Sequence, residues 1–313
     1  MAISLPSMDL IPSVIEEGMK MHKTVAIVVT FNRKDMLQEC IHRLLEQTEA
    51  CDILIIDNAS TDGTYDAISQ FIGGERIRYY NTDKNIGGAG GFNYGLRKAY
   101  EIGYQYFWLM DDDTYPEKDA LSKLLKADAQ LNHEYGFLSS MAYWKDGSPC
   151  NMNIQRTSLN KKITGTEKDN TKIIMATFVS FFLKRETVEQ YGLPISEFFI
   201  WSDDLEYSRR ISVNQPGYFV PQSRVLHAMS SNEKVGIEKD GKERLWRYVY
   251  LYRNEVYVFR REGINGWIYL VCRLILHSVR VLSHKGSDKK EKLRLIWKSF
   301  FHGIKFHPEI DFV

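Results

Sequence analysis

The chain has 313 residues, 44% hydrophobic and 13% aromatic, ample for a buried core in one large α/β domain with an appendage or in two domains. Four cysteines, Cys40, Cys51, Cys150 and Cys272, stand without CxxC spacing, which argues against a disulfide framework or a zinc site and for a reducing compartment. The net charge of +1 hides a division: residues 242–313 hold 15 Lys/Arg against 7 Asp/Glu, and residues 1–241 hold 26 against 33. No uncharged apolar window reaches the ~18 residues of a membrane span, and no basic flank leads an apolar segment at the N-terminus. Neither a span nor a signal peptide is expected.

Residues 1–23 read as an N-terminal extension. Val25 to Thr30 is a β-branched run that ends in Phe31-Asn32-Arg33, and Lys34 to Gln47 carries a helical pattern. Ile53 to Ile56 is a second buried strand, closing on Asp57-Asn58-Ala59-Ser60-Thr61-Asp62-Gly63, with Thr64 to Phe71 helical after it. A third strand, Ile77 to Tyr80, leads through Asn85-Ile86-Gly87-Gly88-Ala89-Gly90-Gly91-Phe92-Asn93 into a helix that runs to about Ile102. The fourth, Tyr106 to Met110, ends in Asp111-Asp112-Asp113. Strands alternating with helices at this spacing predict right-handed βαβ units and a mainly parallel sheet. Each polar motif falls at the C-terminal end of a strand, the edge where open α/β sheets bind ligands.

Beyond Asp113 the pattern changes. Leu121 to Leu131 reads as a helix, Gly136 to Trp144 as a strand, and Lys145 to Lys172 as a long loop or hairpin able to fold over a substrate. Ile173 to Lys184 reads as a further strand and Arg185 to Tyr191 as a short helix. Trp201-Ser202-Asp203-Asp204-Leu205-Glu206 opens a helix through Ile211. Gly217 to Val220 and Arg224 to Ala228 read as two short strands, the second carrying His227.

Three adjacent carboxylates at one strand end repel one another unless a cation sits among them, and hard oxygen ligands at this density suit Mg²⁺ or Mn²⁺. The glycine-rich stretch is not a dinucleotide fingerprint: the third glycine of GxGxxG would fall at Asn93, and the stretch follows the third strand rather than the first. Its glycines allow close approach of backbone to a phosphate or sugar, or make a tight loop.

Thr30-Phe31-Asn32-Arg33, the Asp57 to Gly63 segment, Asn85 to Gly91, the aspartate triplet and Trp201 to Glu206 together resemble family 2 glycosyltransferases of the GT-A fold, in order and spacing over roughly residues 24–230. The glycine stretch, the triplet and the WxDDxE sequence look most like bacterial galactofuranosyltransferases, and rhamnosyltransferases share much of the pattern. The resemblance implies a mainly parallel Rossmann-like sheet in a catalytic domain over 24–241, with a C-terminal helical region over 242–313. It implies an inverting hexosyltransferase that uses a UDP-sugar, with UDP-galactofuranose as first choice, and a polysaccharide or lipid-linked glycan as acceptor. Thr30, Asn32, Arg33 and Asp57 would hold base and ribose; Asn85, Gly87 and Gly88 would line nucleotide and sugar. Asp111 and Asp113 match metal-ligand positions, with Asp112 nearer the sugar, and His227 matches a third ligand, which favours Mn²⁺ over Mg²⁺. Asp204 matches the base, with Asp203 and Trp201 orienting the acceptor. A non-catalytic nucleotide-sugar-binding subunit and a nucleotidyltransferase are the readings from other classes; no nucleic-acid partner is expected.

In the C-terminal region Arg273, His277, Arg280 and His284 fall on one helical stripe, with Trp267, Leu270, Val271, Leu274, Ile275, Val281 and Leu282 on much of the rest. Lys289, Lys290, Lys292, Arg294 and Lys298 interleave with Leu293, Ile296, Trp297, Phe300 and Phe301. Such helices either lie on an anionic membrane surface, placing the protein in the cytoplasm at the inner face of the cell membrane, or pack on the catalytic body or another copy in a homo-oligomer.

Overall fold

The computed structural model describes residues 22–164, 167–233 and 236–313, so nearly all of the expected N-terminal extension lies outside the described residues. Four parallel strands form one half of the sheet: β1 (Thr24–Thr30), β2 (Asp52–Asp57), β3 (Ile77–Asn81) and β4 (Tyr106–Asp111), in the order β3-β2-β1-β4. The helices α1 (Lys34–Leu45), α2 (Thr64–Ile68) and α3 (Gly87–Ile102) make the crossovers. β1 and β2 read as continuous apolar runs because both sheet faces are covered. Val25, Ile27 and Val29 share a core with Phe92 and Leu96 of α3, whereas Ala26 and Val28 pack with Leu37 and Ile41 of α1.

The remaining strands are mixed. β5 (Thr114–Pro116) follows the triplet, α4 (Ala120–Gln130) covers the sheet, and β6 (Phe137–Tyr143), β7 (Thr171–Ile173), β8 (Phe181–Lys184) and β9 (Gly217–His227) complete the order β4-β8-β6-β9-β5, with β7 also on β9. α5 (Arg185–Tyr191) and α6 (Asp203–Ser212) lie between β8 and β9.

Four expectations are corrected. Ile173 to Lys184 is not one strand: its start pairs with β9, and the chain then crosses to pair β8 with β4 and β6, turning through Ser180 at φ 61°. It reads as continuous because Met175, Ala176, Phe178 and Val179 of the connection are buried too. The two strands expected over 217–228 are one, whose pairing with β6 slips between Val220 and Arg224; Pro221, with no N–H to donate, stands in the slip. The glycine stretch is helical from Gly87 onward. A Cβ at Gly91 or Gly95 would meet the side chains of Val29 or Ile27 at 2.6 Å, so these glycines serve close packing of α3 on β1. The second helix stops at Ile68 instead of Phe71.

The C-terminal region forms α7 (Lys242–Arg260), α8 (Gly263–Ser283) and α9 (Lys289–Ile304), which share a third core with Ile195 and Phe198. No uncharged membrane-length run is present among these helices, but α8, 21 residues long with an 18-residue stretch of mean hydropathy 1.3, is long and apolar enough to cross a bilayer by length and composition, Arg273 and Arg280 notwithstanding. Its orientation reverses the simple amphipathic expectation. Arg273 pairs with Glu255 of α7 at 2.8 Å and His277 Nδ1 lies 2.8 Å from the Tyr252 hydroxyl, so half of the polar stripe faces the protein.

Candidate active site

Parallel pairing puts Thr30 beside Asp57 and Val29 beside Asp111, so the loops after β1, β2 and β4 rise together at one edge. β5 then turns back against β9 and sets Thr114 opposite His227, and Ala228 N–H donates to the Asp113 carbonyl at 2.8 Å. A residue 114 positions later is thereby fixed beside the triplet. The result is a cleft of about 800 Å³, a size that suits a nucleotide-sized ligand.

Asp111, Asp113 and His227 each turn a ligand atom into this cleft, and these atoms all lie within 4.8 Å of one another. His227 Nε2 is 3.0 Å from Asp113 Oδ1, and its Nδ1 is 2.7 Å from Asn153 Oδ1. With Nδ1–H donated to Asn153, Nε2 is the nitrogen turned toward the carboxylates, the arrangement a metal-ligating histidine needs. Two carboxylates and an imidazole around one point fit a divalent cation with room left for substrate oxygens.

The triplet is held from β1. Thr30 Oγ1 donates to Asp112 Oδ2 at 2.7 Å, and Arg33 Nη1 donates to Asp112 Oδ1 at 3.2 Å and Asp113 Oδ2 at 2.7 Å. The electrostatics divide the three carboxyls. Burial and the neighbouring Asp113 push Asp111 up to about 6. Burial pushes Asp112 up to about 7, despite the opposing pull of Arg33. Asp113, although buried, is held below the usual carboxylate range by His227 and Arg33. Burial works against a charged ring at His227, but its hydrogen bonds to Asp113 and Cys150 and the Asp113 charge raise it to about 10.

The second acidic pair opens α6. Phe199, Trp201 and Ser202 precede it with φ of 61°, 67° and 69°, a strained run that needs outside support. Asn254 of α7, wholly buried, supplies it by donating to the carbonyls of Phe198, Ile200 and Trp201. Gly87 at φ 75° lies against this run, where a Cβ would stand 2.1 Å from the Phe199 carbonyl oxygen. Leu205 N–H donates to Asp204 Oδ1 at 2.7 Å, yet loss of hydration still pushes Asp204 up to about 7, with Asp111 adding to it. Burial and Asp204 hold Asp203 well above its ordinary value.

The cleft wall thus brings together Thr30, Arg33, Asn85, Gly87 and Gly88 with the triplet, and sets Trp201, Asp203, Asp204 and His227 among them. Asn32 and Asp57 are outside that wall. Asn32 Oδ1 accepts from Thr61 N–H, and Asp57 accepts from Ser60 N–H and the Tyr79 hydroxyl, so both shape the loops behind it. Asn58 lines the cleft instead. Sequence reasoning missed Asn153, Asn254 and the α7 cations Arg244 and Arg247. Arg244 Nε is 3.7 Å from Asp240 in an ion pair, and both it and Arg247 Nε are buried without a hydrogen-bond partner among the described residues. Burial, Arg244 and Arg33 lower the Arg247 pKa, so this side of the cleft has positive charge to spare.

The family model described as Glycosyl transferase family 2 matches residues 25–192. Galactofuranosyltransferase GlfT1 of Mycolicibacterium smegmatis is 23% identical over 282 residues, covering 82% of this chain and 92% of that protein. Among solved structures, the mannosyltransferase PcManGT from Pyrobaculum calidifontis, in complex with GDP-Man and Mn²⁺, superposes with a TM-score of 0.56 at 14% identity, over 91% of this chain and 76% of that one. S. aureus TarS 1-349 in complex with UDP gives 0.54 at 15%, over 91% and 72%. The two structures share the GT-A fold described above, and the family model spans more than half of the chain. The chain belongs to glycosyl transferase family 2 and is a glycosyltransferase.

Proposed function

We propose that the chain is a metal-dependent, inverting hexosyltransferase that moves galactofuranose from UDP-galactofuranose to a hydroxyl of a growing cell-surface polysaccharide or lipid-linked glycan, at the inner face of the cell membrane. The observation that carries this reading is the meeting, in one cleft, of the Asp111-Asp113-His227 cluster with the separate Asp203-Asp204 pair. The donor choice is supported by the galactofuranosyltransferase relative, and the nucleotide and Mn²⁺ by the two solved neighbours. Residues 24–241 make up the catalytic domain in this proposal, and residues 242–313 complete it through Asn254 and Arg247.

Asp111, Asp113 and His227 would hold Mn²⁺, or Mg²⁺, which when bound offsets the charge that grows on the departing diphosphate. Thr30 and Arg33 act by fixing Asp112 and Asp113, and Asn85, Gly87 and Gly88 at the start of α3 face the nucleotide and sugar. Asn32 and Asp57 contribute to base and ribose binding through the loops they shape. Asp204 takes the proton of the acceptor hydroxyl while that oxygen attacks the anomeric carbon opposite the leaving group. Asp203 accepts acceptor hydroxyls and Trp201 offers its face. The test is release of the nucleoside diphosphate, UDP from UDP-galactofuranose and UDP-galactopyranose or dTDP from dTDP-rhamnose, with and without Mn²⁺. Turnover of UDP-galactofuranose that needs Mn²⁺ is expected, and turnover of dTDP-rhamnose alone overturns the donor choice.

Arg247 enters as a phosphate-binding cation. It lines the cleft, its Nε has no hydrogen-bond partner among the described residues, and Arg244 and Arg33 repel its charge, so a bound diphosphate would offset that repulsion. Loss of one charge-assisted hydrogen bond is worth about 1.5–3 kcal/mol. Arg247→Ala is therefore expected to weaken UDP binding about tenfold or more by calorimetry, with the melting temperature unchanged or raised. An unchanged UDP affinity removes the assignment.

A further inference from the structure

The outer side of the C-terminal helices is apolar where a soluble surface is normally polar. Ile264, Ile268, Val271, Ile275, Val279 and Leu282 recur along α8 at spacings of four and three, and are 44% to 76% exposed. The stripe does not stop at the helix edge. Trp267 reaches Phe300 of α9 at a ring distance of 6.4 Å, and Phe300 touches Trp297 and Phe301, both exposed, so the two helices share one face. Lys290, Arg294 and Lys298, four residues apart on α9 and so in one row along it, are exposed, as is Lys305 just past its end. A contiguous apolar face of this kind marks an interaction site.

We propose that the α8–α9 face seats the enzyme on an anionic lipid bilayer, with both helices lying along the surface. This extends the membrane-side location proposed above by naming the surface that makes the contact, and it rests on that part of the reading alone. Tryptophan and isoleucine suit the boundary between headgroups and acyl chains, and the lysine and arginine heads meet anionic headgroups. α8 has the length to cross a bilayer, but its inner side is committed: Arg273 is paired with Glu255 and His277 with Tyr252 on α7. Crossing would strip a charge pair from its protein setting into hydrocarbon, at a cost of several kcal/mol. A second copy of the chain fits the face less well than lipid does. A two-fold contact sets the same patch against itself, so the basic row of Lys290, Arg294 and Lys298 would be brought toward the equivalent row of the second copy.

The full chain is mixed with vesicles of phosphatidylcholine alone or of phosphatidylcholine with phosphatidylglycerol, and bound protein is measured by flotation. Binding to the anionic vesicles only, weakened by salt, is expected. The triple variant Lys290→Gln, Arg294→Gln, Lys298→Gln is expected to bind about fivefold more weakly per removed charge, on the order of a hundredfold in all. The pair Ile268→Ser, Ile275→Ser is expected to lose binding by at least tenfold. All these positions are exposed, and circular dichroism confirms the fold. UDP release and transfer to a water-soluble acceptor are expected to match wild type in both variants, so loss of vesicle binding and failure of the transferase reading stay separate. Absence of binding to either vesicle overturns the proposal, as does binding that neither variant reduces. A wild-type dimer that both variants dissociate, without vesicle binding, assigns the face to a second copy instead.

Discussion

Asparagine in place of Asp204 is expected to lower transfer about a thousandfold, the scale of a lost general base, while leaving UDP and Mn²⁺ affinities within about twofold. The side chain is isosteric, and Leu205 N–H can still donate to its amide oxygen as it does to Asp204 Oδ1 at 2.7 Å. What disappears is a proton acceptor whose ordinary value of 3.8 has been pushed up to about 7, first by loss of hydration and then by Asp111. A base near neutrality takes a hydroxyl proton with more driving force than an ordinary carboxylate and is about half ionised at pH 7. In the proposed mechanism the active form is the deprotonated one, so turnover is expected to rise with pH through an acid limb and then level off. A cation held by Asp111 neutralises that neighbour, which moves the acid limb below 7 when Mn²⁺ is saturating. Turnover against pH, with donor and Mn²⁺ saturating, checks both points. A variant that still turns over near the wild-type rate, or a wild-type profile flat from pH 5 to 8, assigns the proton to another group. Asp203→Asn should instead raise the acceptor KM, since its carboxyl faces the acceptor in this scheme.

How much of this was legible in the sequence follows from where the information resides. The first four strands were readable because β1, β2 and most of β4 are buried on both faces and all four lead into polar motifs, so the run and its boundary say the same thing, even at the half-buried edge strand β3. In the second half β6 and most of β9 were readable, but the break before β8 was not, because the pairing there is mixed and the connection is buried. Met175 to Val179 look like strand because they are apolar, yet they cross from one part of the sheet to another. On α8 periodicity correctly grouped Arg273 with His277, but a period says which residues share a side and not which side meets the protein. Glu255, 18 residues upstream of Arg273 on another helix and invisible to any local pattern, decides it. The site shows the same division. Asp111, Asp113, Asp204 and His227 lie in motifs whose spacing resembles a family, whereas Asn153 comes from an irregular loop and Arg247 and Asn254 from a helix with no motif. A lone Asn or Arg carries no signal until the fold sets it against a histidine, a strained loop or an unpaired charge.

Removing the Asp113 carboxylate is expected to have the second large effect, on metal binding rather than on the proton step. Asp113 is the member of the triplet that already meets both cationic neighbours, His227 at 3.0 Å and Arg33 at 2.7 Å, and its ligand atom lies within 4.8 Å of those of Asp111 and His227. Asp113→Ala would delete one of the three proposed ligands and the group that aligns a second, so Mn²⁺ affinity by calorimetry is expected to fall at least a hundredfold. Asn153→Ala leaves all three ligands but frees the His227 ring, and the expected loss is smaller, about 10–100-fold. The metal-free proteins should also differ, with a sign that depends on pH. Asp113 lies below its ordinary 3.8, so its contribution to stability is present above that value and lost as pH falls through the folded one. His227 is raised from 6.5 to about 10, so its contribution is full below 6.5 and lost as pH rises through about 10. Both depend on the same contact, and the melting deficit of Asp113→Ala is therefore expected to be greatest between about pH 4 and 6.5 and to shrink toward pH 10. Mn²⁺ affinity that survives the substitution would move the metal away from this cluster. A deficit that grows with alkaline pH would show that the pairing of His227 with Asp113 is not what stabilises the metal-free site.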